Sequence, residues 1–236
     1  MVAAMLRRRR LGIAPNEPVA RVRGMPSDRL WTFGHSTRTV EQTLELLRDS
    51  GIASVVDVRS IPGSRRNPQF GAEVMSGWLA DAGIDYRRIQ ALGGRRRRRG
   101  VDPEINAGWT NDGFHAYADW TLGDEFEQGL AELANLVGSA GRPDRTVPRC
   151  PTAPVTRAGL SGRGIRTAIM CAEAVPWRCH RSLIATALVA RGWQVQHVLG
   201  PGQLVGHRIG QWGPPPLLRP DGHVTYPRQG TPPLFD

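Results

Sequence analysis

The segment TAIMCAEAVPWRCHRSLIATALVARGWQVQHVL, residues 167–199, decides the fold of this chain. It begins with a short apolar strand and ends with a second one, WQVQHVL (193–199). Between them a polar loop leads into an apolar helix that stops at Gly192. A helix that joins two strands is the connection used between parallel neighbours. The segment therefore predicts part of a parallel sheet.

The same strand and helix pattern occurs earlier in the chain. Thr39, with Gln42 three residues later, forms a capping-box signature, and Gly51 ends the helix that follows it. A run of apolar and β-branched residues comes next, as expected for a strand buried on both faces. The predicted elements are the strand LWTFGHS (30–36), the strand IASVVDV (52–58), the helix AEVMSGWLADAG (72–83) and the strand IDYRRI (84–89).

Two further helical segments follow the polar loop at 90–112, and the second carries an apolar stripe from Phe126 to Val137. Alternating strands and helices predict an α/β fold. We expect a single domain with a mainly parallel open sheet of roughly five strands and helices on both faces.

The expected domain covers residues 29–227 and is flanked by irregular segments. Residues 1–28 are basic and without periodicity, which predicts a disordered extension rather than a signal peptide. Residues 138–166 are rich in Gly, Pro, Ser, Thr and Arg, which predicts a disordered insert, so Cys150 within it is given no role. Residues 228–236 are expected to be a tail.

Composition limits the partners and the compartment. Lys+Arg 31 against Asp+Glu 21 gives a net charge of +10, and every basic residue is arginine. A positive field favours anionic partners, either small molecules or nucleic acid. Three cysteines are too few for a disulfide framework, which indicates a reducing, cytoplasmic location. The sequence has no apolar run long enough for a membrane span. It leaves the oligomeric state open.

Polar side chains follow each predicted strand. Ligands bind beyond the carboxyl ends of the strands in open parallel sheets, so these side chains are expected to share one pocket. The catalytic candidates are Cys171, Cys179, Glu173, His180 and Arg181. The candidates for substrate binding are His35, Ser36, Asp57, Arg59, Arg65, Arg66, Asn67, Gly93, Gly94 and Arg95.

The positions of the thiols suggest the chemistry. A cysteine beside a helix N-terminus and arginines has its thiolate stabilised, which makes Cys171 or Cys179 a candidate nucleophile with His180 or Glu173 as acid or base. Backbone N–H groups at the helix start would hold an anionic group of the substrate. The expected anion-binding side chains are Arg59, Arg65, Arg66 and Arg181, and Asp57 and His35 would orient groups or move protons.

Each candidate also has a structural explanation. Asp57 can cap a loop, His35 can be a satisfied structural histidine, and Cys171 can be a small buried apolar residue. The arginine run 95–99 is typical of a solvated loop as well as of a phosphate clamp. The helically spaced aromatic residues are assigned to the core rather than to a base-stacking platform: Phe114, Tyr117 and Trp120.

Two other functions compete with a cysteine enzyme. Cys171, Cys179 and His180 are zinc-ligand types, and His35 would complete four ligands. Against zinc, the spacing fits no common pattern, and adjacent Cys179 and His180 are not expected to point at one ion from within a helix. No cofactor is therefore expected, with zinc as the alternative. A non-enzymatic nucleic-acid-binding module is the other alternative, with basic loops on phosphate.

Several motifs together resemble one family. They are GHSTRTVEQTLELL, VVDVRSIPGSRRNPQF, LGGRRR, the N-x-x-W-x-N-x-x-F-x-x-Y pattern from Asn106 to Tyr117, CAEAVPWRCHRSLIATAL, GPGQLVGHRI and GHVTYP. The chain from about Leu30 to Pro227 resembles the family of domain of unknown function 488. The resemblance implies an α/β fold in a cytosolic bacterial protein, without an activity. The chain departs from the family's pattern in its N-terminal extension, its insert and its five successive arginines.

A looser likeness concerns the cysteine loop. VVDVRS, followed later by a strand, a cysteine loop, Arg-Ser and a helix, is similar to rhodaneses and cysteine phosphatases, in which a thiolate lies in an anion-binding loop closed by arginine. The stretch from Cys171 to Arg181 is longer than those loops, so this likeness implies no activity.

Overall fold

The structure, a computed structural model, describes residues 29–63, 66–98, 100–139 and 165–230. The helices are α1 (Val40–Asp49), α2 (Ala72–Asp81), α3 (Asp112–Trp120), α4 (Asp124–Ser139) and α5 (Arg181–Ala190). The strands are β1 (Arg29–Gly34), β2 (Ile52–Asp57), β3 (Asp85–Arg88), β4 (Arg166–Cys171), β5 (Gln194–Gly200), β6 (Gln203–Gly206), β7 (Leu217–Leu218) and β8 (Val224–Thr225). Short 3-10 helices lie at Pro68–Phe70, Gln90–Leu92, Pro103–Asn106 and Pro176–Arg178.

The main sheet has the strand order β3-β2-β4-β1-β5-β6. The first five of these strands pair in parallel, and β6 pairs antiparallel to β5 at one edge. The predicted α/β class and mainly parallel open sheet are therefore confirmed. Because β4 lies between β1 and β2, its last residue, Cys171, is placed near the middle of the carboxyl edge, where the chain reverses its winding direction.

Helices cover both faces of the sheet. On one face α1 and α2 contribute Leu46, Leu47, Met75 and Leu79 to an apolar cluster. On the other face α3, α4 and α5 pack around a larger cluster. The predicted stripe of α4 is part of that second cluster, with Phe126 and Leu133 fully buried. The strands between the two clusters are buried on both sides, which explains why β2 is mostly apolar.

The predicted end signals of the helices are present in the structure. Thr39 caps α1: its hydroxyl accepts from the Gln42 backbone at 3.2 Å, and the Gln42 side chain accepts from the Thr39 backbone at 3.0 Å. Gly51 and Gly192 follow α1 and α5 with φ of +63° and +88°, a region that favours glycine. Local chemistry thus sets these boundaries.

The end of the chain contains structure that the sequence analysis missed. Gly200-Pro201-Gly202 turns the chain so that β6 pairs with β5, and a small ribbon of β7 and β8 follows. Because β6 is an exposed edge strand, it lacks the apolar pattern that revealed the other strands. In the described part of the chain, no helix is both long and apolar enough to span a membrane.

Several predictions lie at or beyond the limits of the described residues. The extension 1–28 is outside them, as are residues 140–164 of the predicted insert, with Cys150, and residues 231–236 of the tail. Helix α4 runs to Ser139 and β4 begins at Arg166, so both ends of the predicted insert overlap regular elements.

Candidate active site

Backbone hydrogen bonds join the ends of three strands around Cys171. The N–H of His35 donates to the carbonyl of Cys171 at 3.0 Å, and the N–H of Ser36 donates to Ala172 at 2.9 Å. On the other side, the N–H of Val58 donates to Met170 at 3.0 Å. The polar residues predicted at three strand ends therefore lie around one point.

Gly34 allows the cysteine loop to cross the end of β1. A Cβ at Gly34 would lie 1.7 Å from the carbonyl oxygen of Glu173, so any side chain there would push the loop away. The fit depends on close contact between two backbones, which is one reason for glycine in a strand.

Cys179 lies beside Cys171 because of the backbone between them. The short helix Pro176–Arg178 shortens the loop, and the N–H of Cys179 donates to Pro176 at 3.0 Å. Cys179 itself is extended, with φ −139° and ψ 144°, and it precedes α5. As a result the sulfurs of Cys171 and Cys179 and Nδ1 of His180 all lie within 4.8 Å of one another.

The ring of His180 is held in one orientation. Its Nε2 lies 2.9 Å from the carbonyl oxygen of Val58, and since a carbonyl only accepts, Nε2 carries a proton. Nδ1 therefore faces the thiols, 3.5 Å from Cys179 Sγ and 3.9 Å from Cys171 Sγ. Gly94 lies against the ring: a Cβ there would be 2.3 Å from Nδ1. This ring can accept a proton from a thiol.

Arg181 is buried behind the thiols. Its Nε lies 3.3 Å from Cys179 Sγ, and its NH2 group donates to the carbonyl of Glu173. The sequence analysis placed Arg181 on the substrate anion; within the described structure its contacts instead support Cys179 and fix the cysteine loop. The expected use of helix-start amides is also limited, because the N–H groups of Ser182 and Leu183 donate to Cys179 and His180 carbonyls.

The two thiols have different proton affinities. Burial alone raises the pKa of Cys179, but its hydrogen bond with Cys171 and the charges of His180 and Arg181 outweigh burial and hold that pKa well below its usual range. The hydrogen bond to Cys179, together with burial, raises the pKa of Cys171 well above its usual range. These opposite directions make Cys179 the thiol that ionises first and Cys171 the one that stays protonated.

Asp57 and Arg59 form a buried ion pair beside the site. The Asp57 carboxylate accepts from Nε and NH2 of Arg59, the latter at 2.6 Å, and from the hydroxyl of Tyr86 at 2.8 Å. Arg59 NH1 lies 3.4 Å from Nε2 of His35. Burial, together with the positive charge of Arg59, lowers the pKa of His35 to about 4, so His35 is neutral near pH 7. Asp57 thus orients Arg59.

A cavity of about 340 Å³ lies above the thiols. Its walls include both cysteines, His180 and the partly aromatic surface of Phe114 and Tyr117. Its charged lining residues are Arg59, Arg95, Arg178 and Glu173. Asp57 neutralises Arg59, which leaves two exposed guanidinium groups and one exposed carboxylate. The size suits a small molecule, and the balance of charge favours an anion.

The predicted site residues fall into three groups. Those that line the cavity are Arg59, Gly94, Arg95, Cys171, Glu173, Cys179 and His180. Those buried around it are His35, Asp57, Gly93 and Arg181. Ser36 forms a half-buried turn with φ 51°, Arg66 and Asn67 are not among the lining residues, and Arg65 lies outside the described residues.

Other lining residues were not predicted as site residues. Asn111 accepts from the N–H of Phe114 at the start of α3, and the Tyr117 hydroxyl donates to Leu92 at 2.8 Å. Tyr117 is buried as predicted, and its ring contacts that of His180 in a T-shaped arrangement with centroids 5.0 Å apart. The spacing Asn-x-x-Phe-x-x-Tyr was the available signal. The sequence contained no signal for Ser60 or Arg178, except that Ser60 follows a strand and Arg178 lies in the cysteine loop.

The arginine run after Gly94 is divided among several roles. Arg95 faces the cavity, and its N–H donates to the Ser60 hydroxyl at 2.8 Å. Arg96 lies 3.6 Å above the Trp120 ring and donates to three backbone carbonyls. Arg98 lies 3.6 Å from Asp119. Two of the arginines are therefore structural, which reduces the surface available for a nucleic-acid phosphate backbone.

The same donor atoms can hold a metal. Cys171, Cys179 and His180 converge, and His180 has the carbonyl-anchored second nitrogen usual for a metal-bound imidazole. The objection that adjacent Cys179 and His180 cannot point at one ion from within a helix does not apply, because both precede α5 and Cys179 is extended. His35 does not complete the set: its Nδ1 donates to Ser36 and its Nε2 faces Arg59.

Two buried histidines behind the site form a chain that the sequence analysis missed. The Thr186 hydroxyl donates to the Ser182 carbonyl at 2.9 Å, so it accepts from Nε2 of His207 at 2.9 Å. Nδ1 of His207 then accepts from Nε2 of His197 at 3.0 Å. Nδ1 of His197 accepts from the Thr32 hydroxyl at 2.7 Å. The chain requires both histidines to be neutral and links β1 to α5.

Comparison with known proteins gives one match. The family model described as Domain of unknown function DUF488 matches residues 39–141. No curated protein and no solved structure matches the chain. The matched range contains Asp57, Arg59, Gly94 and Tyr117, whereas the cysteine loop follows it. The resemblance inferred from the sequence motifs is thereby confirmed over residues 39–141, where the chain matches the DUF488 family model.

Proposed function

We propose that this protein is a cysteine-dependent enzyme that acts on a small anionic molecule, with Cys179 as the nucleophile. One observation carries the proposal: Cys179 Sγ lies at the cavity between Nε of Arg181, 3.3 Å away, and Nδ1 of His180, 3.5 Å away. A thiolate with a cation and an imidazole in contact is the arrangement used by cysteine nucleophiles.

The neighbours of Cys179 have separate roles in this proposal. His180 accepts the thiol proton at Nδ1 and can return it to a leaving group, while its bond to Val58 keeps the ring aimed. Arg181 stabilises the thiolate from the buried side. Arg95 and Arg178 attract the substrate anion at the exposed side, and Glu173 limits that attraction because it is a carboxylate in the same lining.

A zinc site is the direct competitor, because it would use the same three donors. The Arg181 guanidinium in contact with Cys179 opposes a bound cation there. Elemental analysis of the purified chain distinguishes the two proposals. Stoichiometric zinc that disappears in a Cys171→Ser or Cys179→Ser variant would replace the nucleophile. The nucleic-acid alternative predicts binding that weakens steeply with salt and is indifferent to both substitutions.

Paired alkylating reagents test the proposal. Iodoacetamide is neutral and iodoacetate is anionic, so their rate ratio at Cys179 separates thiolate reactivity from anion attraction. We expect Cys179 to react near pH 7 faster than free cysteine, and iodoacetate to be relatively favoured. Arg178→Gln should lower the iodoacetate rate several-fold and leave the iodoacetamide rate nearly unchanged. Peptide mapping assigns each label, and slow labelling of Cys179 by both reagents would overturn the proposal.

A further inference from the structure

Cys171 and Cys179 together have a capacity that a single nucleophile lacks. Both are free and buried, both line the cavity, and their sulfurs lie within 4.8 Å of each other. We propose that the two cysteines are a thiol–disulfide exchange pair, in which Cys179 attacks a small anionic disulfide and Cys171 resolves the mixed disulfide. This inference rests on the proposed nucleophilic role of Cys179 and names its substrate class.

The first step forms one sulfur–sulfur bond and breaks one. The Cys179 thiolate attacks a sulfur of the small disulfide, whose own S–S bond breaks; the released half takes the proton that Nδ1 of His180 received from Cys179 and leaves as a thiol. The enzyme then carries a mixed disulfide on Cys179. Cys179 is better suited to this step than Cys171, because Arg181 Nε contacts its sulfur and His180 Nδ1 is closer to it, at 3.5 Å against 3.9 Å.

The second step uses the thiol that remained protonated. Cys171 loses its proton to Nδ1 of His180, which the first step has left unprotonated, and attacks the Cys179 sulfur; the second half of the small disulfide is expelled and takes that proton to leave as a thiol. The two enzyme thiols are oxidised to a disulfide by two electrons, and the small disulfide is reduced to two thiols. Atoms and electrons therefore balance with that disulfide as the only oxidant.

Ionisation of Cys171 becomes easier after the first step. Its pKa is raised chiefly by its hydrogen bond to Cys179 and by burial. Once the Cys179 sulfur is bonded to another sulfur, it carries no negative charge, so that cause disappears. The positive charge of Arg181 and the N–H of Glu173, which both favour the Cys171 thiolate, remain. The order of reaction is thus built into the pair.

The local geometry favours closure of the pair. The two sulfurs lie within 4.8 Å, and a disulfide needs about 2.05 Å, so a rotation of one side chain must close the gap. The side chains of Ala172, Glu173 and Ala174 are exposed, but Ser36 and Arg181 hold the backbone of this loop, so closure takes place by side-chain rotation. The Arg95 and Arg178 groups select disulfides that carry carboxylates.

Oxidised glutathione is a suitable probe, because it is a small disulfide with carboxylates. The reduced full-length chain with Cys150→Ser, treated with a chelator, is mixed with it, quenched in acid and mapped by mass spectrometry. We expect an internal disulfide between Cys171 and Cys179 and release of two glutathione molecules. In the added Cys171→Ser variant, a stable mixed disulfide should accumulate on Cys179. In Cys179→Ser, reaction at Cys171 should be at least tenfold slower.

The outcomes separate this inference from the proposed function. If the chain with both cysteines also stops at the mixed disulfide on Cys179, the exchange pair is wrong and the nucleophile stands. If Cys179 reacts with neither oxidised glutathione nor iodoacetamide, both proposals are wrong. Zinc that survives the chelator on these thiols would also overturn the pair. Circular dichroism confirms folding of each variant, and a glutathione redox titration of the chain with both cysteines tests the pair without changing either.

Discussion

Nε2 of His180 lies 2.9 Å from the carbonyl oxygen of Val58, and this contact decides which ring nitrogen faces the two thiols. The two residues are 122 positions apart, so the contact exists only because β2 and β4 are neighbours in the sheet. Because Nε2 donates its proton to the backbone carbonyl, Nδ1 is the nitrogen that can accept a proton from Cys179. The chemistry of the cysteine loop therefore depends on a strand distant in sequence.

Replacement of Gly94 should disturb that ring. A Cβ at Gly94 would lie 2.3 Å from Nδ1 of His180, so Gly94→Ala must displace the imidazole or the loop. We expect the iodoacetamide rate of Cys179 near pH 7 to fall about tenfold or more. Gly77→Ala is the matched control, because nothing lies within 4 Å of its added Cβ. Equal rates in both variants would show that the ring position is unimportant for Cys179.

Removal of the Arg181 charge should raise the pKa of Cys179. A hydrogen bond to a charged group contributes about 1.5–3 kcal/mol, which corresponds to roughly one to two pH units for the thiol. We expect the alkylation rate profile of Arg181→Gln to shift upward by that amount. Arg181→Lys keeps the charge without the Nε contact, so its rate profile should lie between those of the unsubstituted chain and Arg181→Gln. An unshifted profile in a folded Arg181→Gln variant would remove Arg181 from the site chemistry.

The buried Asp57 carboxylate should be needed for stability. Asp57→Asn leaves the Arg59 guanidinium buried without its ion-pair partner, which typically costs about 3–5 kcal/mol. Tyr86→Phe removes one neutral donor from the same carboxylate and should cost about 1 kcal/mol. Urea unfolding of both variants checks the order. A smaller loss in Asp57→Asn than in Tyr86→Phe would contradict the ion-pair assignment.

Acid should weaken the fold through its buried histidines. Burial lowers the pKa of His197 to about 3 and that of His207 to about 4. The positive charges of His207 and Arg181 also lower the pKa of His197, whereas the negative charge of Cys179 raises it. Below about pH 6.5 these histidines bind protons in the unfolded chain but not in the folded chain. The free energy of unfolding should therefore be highest above about pH 6.5 and should decrease as the pH falls toward 4.

Urea unfolding from pH 7.5 to pH 4.5 measures this loss. His207→Gln should flatten the dependence between pH 7 and pH 5, where few carboxylates titrate. NMR of the unmodified chain offers a second measurement, since the rings of His35, His197 and His207 should all keep their neutral shifts down to about pH 5. Ring signals that all titrate near the ordinary histidine pKa would contradict the neutral chain from Thr32 to Thr186.

Local sequence patterns predicted the features of the fold that neighbouring residues determine. The Thr39 cap, the glycine stops and the buried run of β2 are each determined by residues close in sequence. The sequence also indicated which loops lie at the carboxyl edge, because strand polarity fixes that. Strand β6 escaped prediction, because an exposed edge strand needs no apolar pattern.

The roles within the site depend on side-chain directions, which the sequence does not contain. Arg181 was predicted at the substrate but lies behind Cys179, since the extended backbone of Cys179 turns its thiol back toward Arg181. Cys179 and His180 converge for the same reason. The sequence contained no sign that His197 and His207 are in contact. His197 lies on β5 and His207 follows β6, and the two meet only through the β5–β6 hairpin.

The central claim is that Cys179 is a thiolate at neutral pH, and ultraviolet absorbance of the thiolate measures this directly. The reduced chain with Cys150→Ser is titrated from pH 4 to pH 9 beside the same chain with the added Cys179→Ser. We predict one thiolate that forms well below the free-cysteine pKa of about 8.5, and its absence in Cys179→Ser. A chain that forms no thiolate until about pH 8.5 would contradict the account.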